Sequence, residues 1–128
     1  TFGLLGGKPY LGLSGNPAAA YVGFEMLARP AIRKMRGFAE GARPVQQAML
    51  THGVKKRQHR RFFDRATVLR DPETGELLVT EAKTQNSALL GTMQRANCLL
   101  RIDEGPCELK AGDVVDVVRV DLPEDAVL

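Results

Sequence analysis

Cysteine and histidine are scarce in this sequence, which contains two of each among its 128 residues. Cys98 and Cys107 belong to no CxxC pair and have no histidine nearby in the sequence. His52 and His59 are seven residues apart and have no partners at metal-ligand spacing. We therefore expect two reduced thiols, as is usual in a cytoplasmic protein, and neither a disulfide nor a zinc site.

Long apolar runs are also absent, since no stretch approaches the ~20 residues that a membrane-spanning helix needs. We therefore expect a soluble protein that has no contact with a membrane. The sequence opens at Thr1 without a methionine, and a functional-looking turn follows within about a dozen residues, fewer than a whole α/β layer requires. We interpret the chain as the C-terminal fragment of a longer protein.

Charge is unevenly distributed, although the net charge is only +3. Residues 1–65 contain 12 basic and 3 acidic side chains, whereas residues 66–128 contain 6 and 12. The densest basic run is KKRQHRR at residues 55–61, and only Phe62 and Phe63 are close enough to stack on bases. A solvated loop between strands is therefore favoured over a nucleic-acid site.

A tight turn with the sequence LSGNP, at residues 13–17, separates a short apolar run from a long amphipathic segment. We expect Gly15 to let the backbone turn sharply, Asn16 to cap a helix through its side-chain oxygen, and Pro17 to take the first helical position. Unpaired amides at the positive end of a helix favour an anion such as phosphate. Every capped helix has the same signature, so structural capping and anion binding both remain open.

Apolar residues recur at helical spacing over residues 18–36, which predicts an amphipathic helix with one face for a core. Pro30 removes a backbone donor and predicts a kink or break at that point. Glu25 and Arg29 are four residues apart, which favours a surface ion pair. Gly37 is expected to end the helix in the left-handed conformation.

Beyond residue 41 the helical period disappears, and short apolar segments alternate with turn signals such as DPETG at residues 71–75. Residues 87–96 interrupt this pattern and are predicted to form one or two helical turns. Five strands are predicted, which indicates a small, strongly curved, barrel-like sheet: Val45 to Leu50, Arg61 to Leu69, Leu77 to Ala82, Cys98 to Ile102 and Val114 to Val120.

Three groups of polar residues in this second part are candidates for chemistry. Arg60 and Arg65 interest us because the planar guanidinium suits bidentate contacts to oxyanions. The polar step TQNS at residues 84–87 could cap a helix or contact a ligand, and the two interpretations are equally supported. Asp113 and Asp116 would face opposite sides of a strand, so they make a poor acid–base pair.

The sequence GGKPYLGLSGNPAAAYVGFEMLARPAIRKMRG, at residues 6–37, resembles the end of the molybdopterin-binding α/β domain of molybdopterin molybdenumtransferases, the family of the gephyrin E domain. The family pattern is a short strand, then LPGNP, then a helix with small residues, an R-P step and a closing glycine. Ser14 replaces the first proline of that pattern. The resemblance continues more weakly through Arg60, Phe63, Arg65, residues 84–87 and Ala96-Asn97-Cys98-Leu99.

This resemblance implies an α+β fold in two parts. Residues 1–41 would be a strand-turn-helix remnant of the molybdopterin-binding α/β domain, and residues 42–128 a small all-β, barrel-like C-terminal domain of the beta-clip type. It also implies an enzyme that inserts molybdate into adenylylated molybdopterin and releases AMP, with magnesium assisting. Family members are homodimers whose active site forms between the α/β domain of one subunit and the C-terminal β domain of the other.

The resemblance further implies which residues bind the anionic pterin substrate. The family's acidic metal and catalytic residues lie upstream and are absent, so we expect the fragment to be inactive alone and magnesium to be bound elsewhere. A helix from an incomplete layer exposes its apolar face, so we also expect self-association. The alternative is a non-catalytic docking module whose basic loop, residues 55–61, binds an acidic partner. The implied substrate-binding residues are Ser14, Gly15, Asn16, Pro17, Arg60, Arg65 and Ser87.

Overall fold

The computed structural model describes residues 1–82 and 95–122. They divide into two compact units, the first formed by Thr1–Arg43 and the second beginning at Pro44. The helical turns predicted within residues 87–96 and the polar step at residues 84–87 lie wholly or mostly outside the described residues. No helix of residues 1–82 or 95–122 is both long and apolar enough to cross a membrane.

The first unit opens with an antiparallel hairpin of β1 (Phe2–Leu5) and β2 (Lys8–Leu11). The two-residue connection is Gly6-Gly7, and both glycines have positive φ, 57° and 76°. A two-residue hairpin turn of this kind needs positive φ at both central positions, which glycine adopts without strain. The apolar segment expected before the turn is therefore a strand, and it pairs with β1.

One distorted helical segment follows. It consists of α1 (Pro17–Gly23), a π-helical turn (Phe24–Ala28) and α2 (Arg29–Met35). The ring of Pro30 collides with a regular turn before it, and the wider π turn gives it room. The kink or break predicted near Pro30 is not a break, because the segment stays helical from Pro17 to Met35 and only changes its helix type before Pro30.

The C-terminal end of α2 has the predicted geometry. Gly37 has φ 89°, and its amide donates to the Lys34 carbonyl oxygen at 3.0 Å. The Phe38 amide donates to the Arg33 carbonyl oxygen, also at 3.0 Å. These two bonds form a Schellman motif, which satisfies carbonyl groups that the helix end leaves without partners.

The surface location predicted for Glu25 and Arg29 is wrong, because both residues are buried, with 6% and 7% of their surface exposed. The Glu25 carboxylate accepts two hydrogen bonds from the Arg43 guanidinium, at 2.8 and 3.2 Å. Helical spacing sets the distance between positions 25 and 29 but does not tell which side of the helix the following loop covers. Arg43 lies in that loop, and its fork matches the carboxylate geometry.

The second unit is a closed five-stranded barrel in which the strands follow the spatial order β3, β6, β5, β7, β9 and β9 pairs back with β3. The β3–β6 pair is parallel, and the other four pairs are antiparallel. The predicted barrel-like β unit is confirmed, and each strand lies within one residue of its predicted bounds. These bounds are β3 (Val45–Leu50), β5 (Phe62–Arg70), β6 (Leu77–Glu81), β7 (Cys98–Ile102) and β9 (Val114–Arg119).

The interior of the barrel is filled by branched aliphatic side chains. Val79, Leu100 and Val117 have no exposed surface. The register places Leu100 opposite Val117 and Val68 opposite Val79, so these residues pair across neighbouring strands and face the interior. Cys98 is also fully buried, and burial raises the pKa of its thiol to about 12, so it is an unreactive free thiol.

A second, two-stranded sheet of β4 (Val54–Lys56) and β8 (Cys107–Leu109) accompanies the barrel. It was not expected from the sequence, because strands of three residues show no clear alternation. The register pairs Lys56 with Cys107. The solvated loop predicted at residues 55–61 is therefore wrong for its first two residues, which belong to β4.

Candidate functional site

The turn at residues 14–17 begins the helical segment, and Pro17 takes the first helical position, as predicted. Asn16 makes no side-chain capping hydrogen bond, so its predicted capping role is wrong. The Asn16 amide instead donates to Ser14 Oγ at 3.2 Å, so the residue that replaces the family's proline supports the turn itself.

Gly15 contributes less to this turn than predicted. Its φ is not positive, and a Cβ atom there would meet nothing within 4 Å among the described residues. The sharp turn therefore does not need glycine for its backbone conformation. The space around Gly15 is open, which is compatible with a ligand close to the backbone.

The densest positive charge of the second unit lies on the turn between β4 and β5. Arg60 and Arg61 are both exposed there. Arg61 forms an ion pair of 3.1 Å with Glu104, and the Gly105 amide donates to the His59 carbonyl oxygen at 3.0 Å. The turn that carries Arg60 is thereby joined to the turn that follows β7.

Lys56 lies beneath this turn and is 3% exposed. Its ammonium donates to the carbonyl oxygens of Arg60 and Asp103, one from each of the two turns. The Nζ atom also lies 5.2 Å from the centroid of the Phe62 ring. A buried ammonium needs such partners, since desolvation without them would be unfavourable.

Arg65 is placed differently from Arg60, although both were predicted to bind the same anions. It lies on β5 opposite Leu99 and is 4% exposed. Its positive charge counteracts the rise in the pKa of the neighbouring Asp64 carboxyl group. Arg65 is therefore a buried charge that interacts with Asp64. Its predicted contact with substrate stays a prediction.

A cleft of about 720 Å³ opens beside Lys56, and its walls include Asp64 of β5 and Glu81 of β6. The two carboxyl groups lie close enough to influence each other's protonation. The Glu81 amide also donates to Nε2 of His52 at 2.8 Å. Because Nε2 accepts this bond, the ring proton of His52 is on Nδ1. The Nδ1 atom lies 3.0 Å from the Gly53 carbonyl oxygen.

Both carboxyl groups have a raised pKa. Burial is the largest cause for each, and the pKa of Glu81 reaches about 7 because the charge of Asp64 and their hydrogen bond add to it. For Asp64 the hydrogen bond to Glu81 and the charges of Arg65 and Lys56 act in the opposite direction. The pKa of Glu81 therefore lies well above the ordinary range of carboxylic acids.

This acidic pair was missed in the sequence, although the strands that carry it were predicted. The register pairs Ala66 with Glu81, which makes Asp64 and Glu81 diagonal neighbours on one face. Counting residues outward along both strands from the DPETG turn would have predicted that Asp64 and Glu81 are close. Lys56 was missed for a different reason, since nothing in a basic run distinguishes a buried lysine from a solvated one.

Magnesium was expected to be bound by residues upstream of this chain. Within residues 1–82 and 95–122, no group of three or more His, Cys, Asp or Glu side chains could hold a metal ion. Ser87, which was predicted to bind substrate, lies outside the described residues.

Asn97, one of the residues that carried the resemblance, has a structural role. Its side chain accepts a hydrogen bond from the Val68 amide at 2.8 Å and donates to the Val68 carbonyl oxygen at 2.9 Å. An asparagine that bonds both groups of one residue acts as an additional strand pairing. It extends the ladder of β5 beyond the first residue of β7.

Comparison with known proteins locates a family match in the second unit. The model of the family described as "MoeA C-terminal region (domain IV)" matches residues 47–120. Two curated relatives match nearly the whole chain: "Molybdopterin molybdenumtransferase 1" of Mycobacterium tuberculosis, 35% identical over 121 residues, and "Molybdopterin molybdenumtransferase" of Staphylococcus aureus, 30% identical over 118 residues. The matches cover 91% and 92% of this chain, and 28% of each relative.

Solved structures are similar over the same extent. Two crystal structures of the molybdopterin biosynthesis MoeA protein from Pyrococcus horikoshii match with TM-scores of 0.70 and 0.68 and sequence identities of 25% and 23%. The matches cover 92% of this chain, and 28% and 29% of those chains. The chain thus spans less than a third of the length of the relatives that it matches.

Proposed function

Because the chain belongs to the family of the MoeA C-terminal region, domain IV, we propose that its parent protein is a molybdopterin molybdenumtransferase of molybdenum cofactor biosynthesis. The parent inserts molybdate into adenylylated molybdopterin and releases AMP. The names of the relatives support the transferase class and a molybdopterin substrate. In this proposal the first unit is the end of the molybdopterin-binding α/β domain.

The observation that supports the role of this chain most directly is the exposed Arg60 on a turn with fixed anchors. Its neighbours Lys56, His59 and Arg61 each make a contact that holds the turn in place. A guanidinium on a preformed turn can bind two oxygens of a phosphate or a tetrahedral oxyanion with little further loss of freedom. Arg60 therefore binds and orients the anionic part of the substrate.

The turn at residues 14–17 supplies the second part of the proposed substrate site. Backbone amides at the start of a helical segment favour a phosphate group. We place the complete active site between the α/β domain of one subunit and the barrel unit of its partner, so the parent acts as a homodimer. Arg65 and Ser87 are the further contacts that the barrel unit would add.

This chain alone is proposed to be inactive. The residues that bind magnesium and carry out the chemistry would come from the upstream part of the parent, since the described residues offer no metal site. No step of the reaction is therefore assigned to a metal held by this chain. Its own contribution is to bind and orient the pterin phosphate and molybdate.

The experiment is molybdate-dependent release of AMP from adenylylated molybdopterin with magnesium. It compares the full-length parent, its Arg60→Ala variant and the isolated chain. We expect the parent to be active and the isolated chain to be inactive. In the variant we expect kcat/KM to fall about 100-fold, because a charge-assisted bidentate contact is lost.

A fully active Arg60→Ala variant would contradict the role of Arg60. An inactive parent that binds an acidic protein through residues 55–61 would support the docking module instead. The burial of Lys56 removes one charge from the exposed part of that loop. Arg60→Lys serves as the matched control, because it keeps the charge but removes the bidentate fork.

A further inference from the structure

We propose that Lys56 is a positioning residue for the turn of residues 57–61 and sets the orientation of Arg60 toward the anionic substrate. This inference rests on the proposed function. Lys56 is 3% exposed, and its ammonium is directed to main-chain carbonyl oxygens. It acts through the carbonyl oxygen of Arg60, to which its ammonium donates.

The contacts of Lys56 join two turns that have no strand pairing between them. One proton of the ammonium is bonded to the Arg60 carbonyl oxygen and another to the Asp103 carbonyl oxygen. The bond from the Gly105 amide to the His59 carbonyl oxygen and the ion pair of Arg61 with Glu104 lie across the same two turns. Lys56 is the buried member of this set, so solvent and salt screen its bonds least.

The chemistry of lysine explains why this bond controls the backbone at Arg60. A buried ammonium is stable only while its protons have acceptors, and the acceptors here are main-chain carbonyl groups. The direction of the Arg60 carbonyl therefore cannot change without costing the ammonium one of its two carbonyl acceptors. Because that direction depends on the dihedral angles of Arg60, the start of its side chain is restrained as well.

The location of Lys56 separates this role from stabilisation of the barrel. Lys56 lies on β4, whose partner is β8, and neither strand belongs to the closed barrel. The barrel interior is formed by aliphatic residues such as Leu100 and Val117. Loss of the ammonium should therefore loosen the two turns and leave the barrel closed.

The test uses the full-length parent with Lys56→Met, Arg60→Ala and the double variant. We expect Lys56→Met to raise KM for adenylylated molybdopterin about tenfold and to change kcat less than about threefold, because positioning affects binding of substrate. In the Arg60→Ala background the same substitution should change KM less than about twofold, since residues that act through one another are non-additive. An unchanged KM, or a full effect in both backgrounds, would overturn the proposal.

Hydrogen exchange of the same variants provides a readout that does not need activity. Lys56→Met should speed exchange of the amides of residues 57–61 and 103–105 about tenfold or more, without change in β7 and β9. Unchanged exchange at both turns would overturn the proposal even if the parent were inactive, in which case only the proposed function fails. Lys110→Met, which removes an exposed lysine after β8, is the control, and Lys56→Gln replaces Lys56→Met if the latter does not fold.

Discussion

At the scale of single residues, the Asp64–Glu81 pair makes the stability of the second unit dependent on pH. The folded state raises the pKa of Glu81 from 4.5 to about 7, chiefly because burial disfavours the charged form. Between these two values the folded state binds more protons than the unfolded state. The free energy of unfolding therefore falls as pH rises from about 4.5 to 7, and the full penalty is present above pH 7.

Glu81→Gln removes this penalty, because the amide has no charge to bury and can still hydrogen-bond to Asp64. We expect the variant to be more stable than the original chain at pH 8, by about 1 kcal/mol after allowance for solvent screening, and equally stable near pH 4.5. Thermal unfolding from pH 4.5 to 8 measures the difference. Glu108→Gln, at an exposed position on β8, is the control, and a parallel pH profile for the two variants would contradict the prediction.

The single residues that sequence analysis misjudged have a common physical cause. Glu25 and Lys56 were assigned to solvent because charged side chains are usually exposed. Each is buried because a partner far along the chain or from a neighbouring turn satisfies its charge: Arg43 for Glu25, and two carbonyl groups for Lys56. Such partners depend on tertiary structure, so local patterns cannot reveal them.

At the scale of secondary-structure elements, the end of α2 depends on the left-handed conformation of Gly37. At φ 89° an added Cβ is strained, although no atom of the described residues lies within 4 Å of it. Gly37→Ala should therefore lower the free energy of unfolding by about 1 kcal/mol. Chemical denaturation measures this change.

Gly15→Ala is the matched control for that experiment, because Gly15 has neither a positive φ nor a close neighbour among the described residues. We expect its effect to stay within about 0.5 kcal/mol of zero. If both alanine variants lost the same stability, the left-handed conformation would not explain the role of Gly37.

Strands and helix ends were predictable from local chemistry, and short or distant pairings were not. The five barrel strands could be predicted because turn signals such as DPETG separate short apolar segments, of which β9 is the richest in β-branched residues. β4 and β8 have three residues each, too few to show alternation. The π turn was predicted only as a kink or break near Pro30, because Pro30 requires a distortion but does not determine its form.

At the scale of the whole chain, the first unit leaves a large apolar surface uncovered. Met35 is 73% exposed and Leu27 60%. Together with the hairpin they border an apolar groove of about 400 Å³. Exposed patches of this kind usually mark a surface that another protein segment covers.

We therefore expect the isolated chain to self-associate. Leu27→Lys combined with Met35→Lys should shift it toward the monomer, because two buried ammonium groups would oppose burial of the groove. Sedimentation velocity at several concentrations measures the effect. Leu69→Lys, at an exposed leucine of β5, is the control. A chain that is monomeric at high concentration would show that the groove does not drive association.

Function was predictable from this chain only through resemblance. Physical reasoning from the residues predicted a turn that could bind an anion, a basic loop and a β unit. These features do not define a reaction. The family match at residues 47–120 assigns the chain to the family of the MoeA C-terminal region, but the chain spans only 28% of the length of its curated relatives.

The closure of the barrel has a consequence for how the chain is made on the ribosome. β3 is the first barrel strand to emerge, yet it pairs with β9, the last one, and Arg119 of β9 bonds to Gln46 of β3, 73 residues earlier. Among the described barrel strands, β5 and β6 form a hairpin that can form early, whereas β7 can pair with β9 only after β8 has emerged between them. A nascent chain that has not reached Val114 exposes the unpaired edges of β3 and β7. Slow translation before β9 should therefore promote aggregation.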